Sequence, residues 1–331
     1  MQIRSKMLLI ASCLAFAGLV ILPACAQSGG GNISESSPAA NIYTWNDNTP
    51  AWNSKLHVSG YRIGCSAGSK GVTDCLDKIQ HKLEKGQDVR RISLAILNSA
   101  EKPSQAEASA LFASQMSLSK PFLSEVSFDD FIDYYHKLFA RSGFSPQSWL
   151  ETMVSNIKAK NPALRIGITV YTEELHPVSV YIKPPDLPSK VAASIDTVYL
   201  YPSYQDEAKP SEYASYVRQA KALFPNAEIV GGSPAYDHVD WGFCDTAGSR
   251  KYTPAQEVRL YKELIAIQAR LLKEGGLSGI EFYPGYFGKE SEWSGWKKHC
   301  VCHANRVQQC IKDTQTMHED AASTLKSTFG W

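Results

Sequence analysis

The chain has 331 residues, with 34 Lys and Arg against 33 Asp and Glu, a formal net charge of +1. So even a balance implies no basic face and makes nucleic acid a poor choice of partner, and the length admits one large domain or two ordinary ones. Aromatic residues make up 11 % of the chain, with 16 Tyr and 7 Trp, which fits either a large core or a site that stacks flat apolar faces.

The first 26 residues read as a secretory signal. Arg4 and Lys6 give a positive start, and Met7–Leu22 is apolar or small. That run suits a signal h-region and falls short of the roughly 20 residues a membrane span needs. Two cleavage readings compete. Ala24-Cys25-Ala26 has the small-x-small pattern of ordinary signal peptidase, with cutting before Gln27. Leu22-Pro23-Ala24-Cys25 resembles the bacterial lipobox, whose cysteine is acylated and becomes the first residue. Residues 27–40 are rich in Gly, Ser and Ala, the composition of a flexible tether, and this tips the reading to a lipoprotein with Cys25 as its lipidation site. The expected location is extracytoplasmic: the cell envelope through a lipid anchor, or, as the alternative, a secreted or periplasmic soluble protein. Without the two basic residues of the signal, 32 basic residues face 33 acidic ones, about −1.

From residue 41 onward β-rich runs alternate with amphipathic stretches, and 41–331 reads as a single domain. Leu56–Ile63 alternates as a strand does, and Asp74–Lys85 follows as a helix closed by Gly86. Arg91–Leu97 is a buried strand and Phe122–Val126 another. Asp129–Ala140 and Pro146–Lys160 read as helices, the second with Ser145 as N-cap and Pro146 in its first turn. Strands at Arg165–Tyr171, Ile195–Tyr201, Glu228–Gly232 and Gly279–Tyr283 then alternate with helices at Ser211–Phe224, Pro254–Lys273 and Asn305–Lys326. An eighth strand falls near Asn41–Trp45 or within 98–127.

Such alternation implies a parallel sheet with right-handed crossovers. The choice lies between a closed (β/α)8 barrel, possibly irregular, and an open doubly wound sheet. No glycine-rich phosphate turn follows an early strand, as dinucleotide-binding open sheets have. Polar and aromatic residues instead recur at the C-terminal ends of several strands, where barrel enzymes place their chemistry. The expectation is the barrel, and no cofactor motif is present.

Two of the eight cysteines, Cys13 and Cys25, belong to the export signal. Cys65, Cys75, Cys244, Cys300, Cys302 and Cys310 are then an even set suited to disulfides outside the cytoplasm. The economical pairing joins Cys65 to Cys75, Cys244 to one of the C-terminal trio, and the remaining two to each other. His299-Cys300-Val301-Cys302-His303 contains zinc-type ligands, but the paired C-x-x-C spacing is missing, so no metal site is assigned.

The signatures of serine hydrolases, P-loops, zincins and EF-hands are absent, which leaves the strand ends. Glu281 sits in Gly279-Ile-Glu-Phe-Tyr283, a run of the kind buried on both faces, where a carboxylate must find partners or shift its pKa. Period two puts Glu281 and Tyr283 on one face, with Ile280 and Phe282 on the other. Either Glu281 does chemistry or it pairs with an interior Arg or Lys. Glu173 continues the Thr169, Tyr171 line; Glu174 continues the opposite one. Asp237 and His238 close a Gly-Pro-rich turn that leads to Asp240 and Trp241. Tyr201 and Tyr204 in Tyr-Pro-Ser-Tyr, the echoing Tyr283-Pro-Gly-Tyr286, and Trp293 and Trp296 would add an aromatic cleft.

A cleft of aromatic faces with two carboxyl groups, one holding a proton and one ionised, is what glycoside cleavage needs. In this the segment from about Arg165 to Trp296 resembles (β/α)8 glycoside hydrolases. The likeness covers architecture, Glu281 and the aromatic loops; a D-x-x-D-x-D-x-E run and a strand-end Asn-Glu are not present. It implies a carbohydrate or cell-wall glycan as partner. The expected catalytic residues are Glu281, Glu173 and Asp237, and the expected substrate-binding residues are Tyr171, Tyr201, Tyr204, His238, Trp241, Tyr283 and Trp293. The rival is a non-catalytic carbohydrate-binding or scaffold barrel.

Overall fold

A computed structural model describes residues 41–45, 50–65, 68–86, 89, 91–97, 103–129, 131, 146–175, 187, 189–203, 209–235, 254–283 and 307–331. Eight parallel strands close into a barrel in sequence order: β1 (Ile42–Trp45), β2 (Val58–Gly64), β3 (Arg91–Leu97), β4 (Leu123–Phe128), β5 (Arg165–Tyr171), β6 (Thr197–Tyr201), β7 (Glu228–Pro234) and β8 (Gly279–Tyr283). The eighth strand is therefore the one at 42–45, and β1 pairs with β2 on one side and β8 on the other. Between strands run α1 (Pro50–Leu56), α2 (Gly68–Glu84), α3 (Pro103–Met116), α4 (Pro146–Lys160), α5 (Ser189–Ser194), α6 (Tyr213–Leu223) and α7 (Pro254–Lys273), with α8 (Val307–Phe329) after β8. This is a (β/α)8 barrel, and the open-sheet alternative falls.

The strand sequences build two separate cores. Outward residues such as Ile42, Ile166, Ile168, Val198, Ile280 and Phe282 pack with helix residues including Leu76, Ile157, Ile265 and Leu325 in one apolar layer. Inward residues form a second cluster of Tyr43, Tyr199, Tyr201 and Val230, with Tyr171 and Tyr283 against it. A barrel interior is ordinarily filled by branched aliphatics. Here tyrosines, hydroxyls and ion pairs fill it, and small residues make room for them. A Cβ on Gly279 would stand 2.7 Å from the Tyr43 ring, and one on Gly60 2.5 Å from it, so both strands flanking β1 carry glycine beside that ring.

Two short helices, α1 and α5, and the Ala- and Ser-rich α3 carry no strong amphipathic signal. The helix expected over 129–140 lies almost wholly outside the described residues. Cys65, just past β2, forms a disulfide with Cys75 of α2. Cys310 falls in the first turn of α8; Cys25, Cys244, Cys300 and Cys302 lie outside the described residues, as do the signal and tether. No described helix is long and apolar enough to cross a membrane.

Candidate functional site

Strand alternation places Gly60, Arg62 and Gly64 of β2 on the interior line, and Arg62 is 1 % exposed. A guanidinium in that position is held by polar groups of three other strands at once. Its Nη1 reaches Glu281 Oε2 of β8 at 3.3 Å and its Nη2 reaches Thr169 Oγ1 of β5 at 2.6 Å. Nη2 also meets Asp129 Oδ1, just beyond β4, at 3.4 Å, while Nε donates to Ser127 Oγ at 2.9 Å. The flat cation is sandwiched between Trp45 and Tyr199, 4.5 and 4.2 Å from their ring centres, an arrangement that suits arginine's weakly hydrated plane.

Glu281 is fully buried. Its Oε2 also accepts a 2.5 Å hydrogen bond from Tyr201 Oη, whereas Oε1 has no hydrogen-bond partner among the described residues. Burial pushes the Glu281 carboxyl up to about 7, although the Arg62 charge and the Tyr201 hydroxyl both pull it down. A carboxyl so placed gains and loses its proton around neutral pH, and Oε1 is the oxygen left to carry it.

Around this group gather the strand-end aromatics. Tyr201 and Tyr283 meet edge to face at 6.4 Å, Tyr283 meets Trp45 the same way at 5.5 Å, and Tyr171 lies 6.2 Å from Tyr201. Asp129 stands at their edge with a quarter of its side chain exposed and accepts from Thr169 Oγ1 at 2.8 Å.

Three expected residues are thus brought around Glu281: Tyr171, Tyr201 and Tyr283. Glu173 is half-buried in a 3-10 turn over Thr172–Leu175; β5 ends at Tyr171, so strand alternation does not extend to it. Glu174 turns back to accept from the Tyr171 amide at 2.8 Å and caps that turn. Asp237, Tyr204, His238, Trp241 and Trp293 lie outside the described residues. Arg62, Asp129 and Trp45 were not singled out from the sequence. For Arg62 a signal existed in the period-two line Gly60, Arg62, Gly64; Asp129 reads as a helix start because β4 runs on to Phe128.

A second ionic cluster lies at the opposite end of the interior. Glu125 of β4 is fully buried and accepts from Arg91 Nη2, Thr197 Oγ1 and Tyr199 Oη, each at 2.5 Å. Glu228 bridges Arg91 and Arg165 at 2.9 and 2.7 Å. Burial alone would raise the Glu125 carboxyl, but Arg91 and the hydroxyl donors hold it down at about 2. One barrel therefore holds two buried glutamates shifted in opposite directions. Among the described residues no group of three or more His, Cys, Asp or Glu could hold a metal ion.

No family model matches the chain, and a search of curated proteins returns no significant match. Solved structures do resemble it in fold. A glycoside hydrolase family 5 enzyme from Prevotella bryantii B14 superposes with a TM-score of 0.50 at 10 % identity, over 86 % of this chain and 96 % of that one. A GH18 chitinase from Pseudoalteromonas aurantia gives 0.49 at 13 % identity, over 83 % and 100 %. A thermostable mutant xylanase from Cellvibrio japonicus gives 0.45 at 12 %, over 74 % and 86 %. The neighbours are glycoside hydrolases with the same eight-stranded barrel, and at these identities the likeness is one of fold.

Proposed function

We propose that this chain is a carbohydrate-active barrel of the glycoside-hydrolase type, exported and held at the cell envelope by a lipid on Cys25. The observation that carries the reading is Glu281: a buried carboxyl, raised to about 7, with Oε2 fixed by Arg62 and Tyr201 and Oε1 without a partner among the described residues. That is the state required of a proton donor to a leaving glycosidic oxygen. The second carboxylate comes from the mouth. Asp129 is the nearer choice, since it shares the Arg62 guanidinium with Glu281; Glu173 and Asp237 are the others. Tyr171, Tyr201, Tyr283 and Trp45 would floor a sugar site. The Cys65–Cys75 disulfide fits an oxidising compartment.

A second reading, a carbohydrate-binding barrel without catalysis, draws on one feature: Glu281 is wholly inside and ion-paired. The two separate in a released-sugar assay of the purified protein over a panel of cell-wall and storage glycans. Hydrolysis is expected, and Glu281→Gln should lower turnover at least about 100-fold with the far- and near-UV circular dichroism unchanged. Glycan binding without released sugar, or full activity in the Gln variant, would decide for the second reading.

A further inference from the structure

In this barrel every helix descends from the C-terminal ends of the strands to their N-terminal ends, so all last helical turns share one rim. That rim is basic. Lys85 follows α2, Lys160 ends α4, Lys221 lies in the last turn of α6, Arg270 and Lys273 in that of α7, and Lys326 in that of α8. All six are exposed, and none has a carboxylate partner among the described residues; Lys221 and Lys273 donate only to carbonyls, of Ala227 and Thr328. Glu84 and Glu274 are the rim carboxylates there without a cation. Other rim charges cancel, as Lys158 does with Asp196, Lys120 with Asp77, and Arg91 and Arg165 with Glu125 and Glu228. The helix dipole favours each cation singly, but it does not require that so few be neutralised.

Two further features converge on the same rim. Half-buried aromatics sit there: Trp331 stacks on Phe329 at 5.3 Å and on the exposed His57 at 4.2 Å, just before β2. Asn41, the first described residue, also sits there, bonded to Ser278 and Ile280 at the start of β8. Exposed cations with tryptophan beside them are the groups that seat on an anionic lipid surface.

We infer that the N-terminal rim of the barrel docks on anionic phospholipid, so that the mouth with Glu281 and Asp129 faces away from the membrane. The inference rests on the envelope-anchored reading given above, and its test separates the two. The Cys25→Ser protein, which has no acyl anchor, is sedimented with vesicles of phosphatidylcholine alone and of phosphatidylcholine with about a third phosphatidylglycerol. Docking predicts at least about tenfold tighter partitioning onto the anionic vesicles. That preference should vanish in high salt, and in a Lys85→Glu, Lys160→Glu, Lys273→Glu, Lys326→Glu variant with unchanged circular dichroism. A preference below about twofold, or one that survives the four charge reversals, overturns the docking surface. The anchor is read separately: the wild type should remain on pure phosphatidylcholine vesicles where Cys25→Ser washes off, and equal retention would overturn the lipid anchor while leaving the rim to be judged on its own ratio.

Discussion

Glu281 and Glu125 are the same side chain, equally buried in the same barrel, and their surroundings drive them apart. Glu125 receives a nearby cation and two short hydroxyl donors through both oxygens, whereas Glu281 shares one more distant cation and leaves an oxygen over. The sign of each pH effect follows from linkage. With Glu125 held at about 2, below its usual value of 4.5, its contribution is complete above pH 4.5 and lost as pH falls toward 2. With Glu281 raised to about 7, its contribution is complete below pH 4.5 and lost as pH rises through 7. Each change is on the order of 3 kcal/mol. Denaturant unfolding across pH should show Glu281→Gln removing the decline between pH 4.5 and 7 while leaving the acid limb in place. Tyr201→Phe deletes a bond that lowers the Glu281 carboxyl, so the carbon-13 titration of Glu281 should move further up. A downward movement would contradict the hydrogen bond. Glu281 was legible in the sequence because a charge interrupts an apolar strand. Arg62 was less so, since Tyr-Arg-Ile-Gly also reads as a half-exposed strand, and only closure of the barrel turns that line inward.

At the scale of elements, the interior depends on pairing a large ring on one strand with a glycine on the next. Gly232 of β7 faces the Tyr201 ring, and a Cβ there would collide with it. Gly232→Ala should therefore cost about 1–3 kcal/mol in denaturant unfolding and also displace Tyr201 from Glu281. A neutral result would mean that β6 and β7 can spread. Cys65 and Cys75, with Cα atoms 5.9 Å apart, close a ten-residue separation between β2 and α2. Their replacement by serine should lower stability by about 2–3 kcal/mol. The helices that open on a proline, α4 and α7, and the strands β3, β5 and β8 could be bounded correctly from sequence. The Ala- and Ser-rich α3 could not, because its small residues give neither a polar nor an apolar stripe, and β1, four residues long, is too short for alternation to declare itself.

On the scale of the whole molecule, the architecture was legible because βα alternation persists through most of the chain, and each further strand–helix unit adds to the same conclusion. The composition of the interior was not. Tyrosines and charges along a strand look alike from sequence whether they face solvent or a closed barrel, and the answer emerges only when eight strands meet. The closure itself rests on β1. This shortest strand is the first in the chain, and it holds β2 and β8 together through four and three register pairs. Tyr43 of β1 stands directly beside Glu281 in that register. A pull on Asn41 along the strand would load those few bonds in shear, with no other strand to share the force. β1 is thus the mechanical weak link of the barrel, and force-spectroscopy traces from the N-terminal side should begin with its extraction. Once it slides out, the wall beside Glu281 is gone.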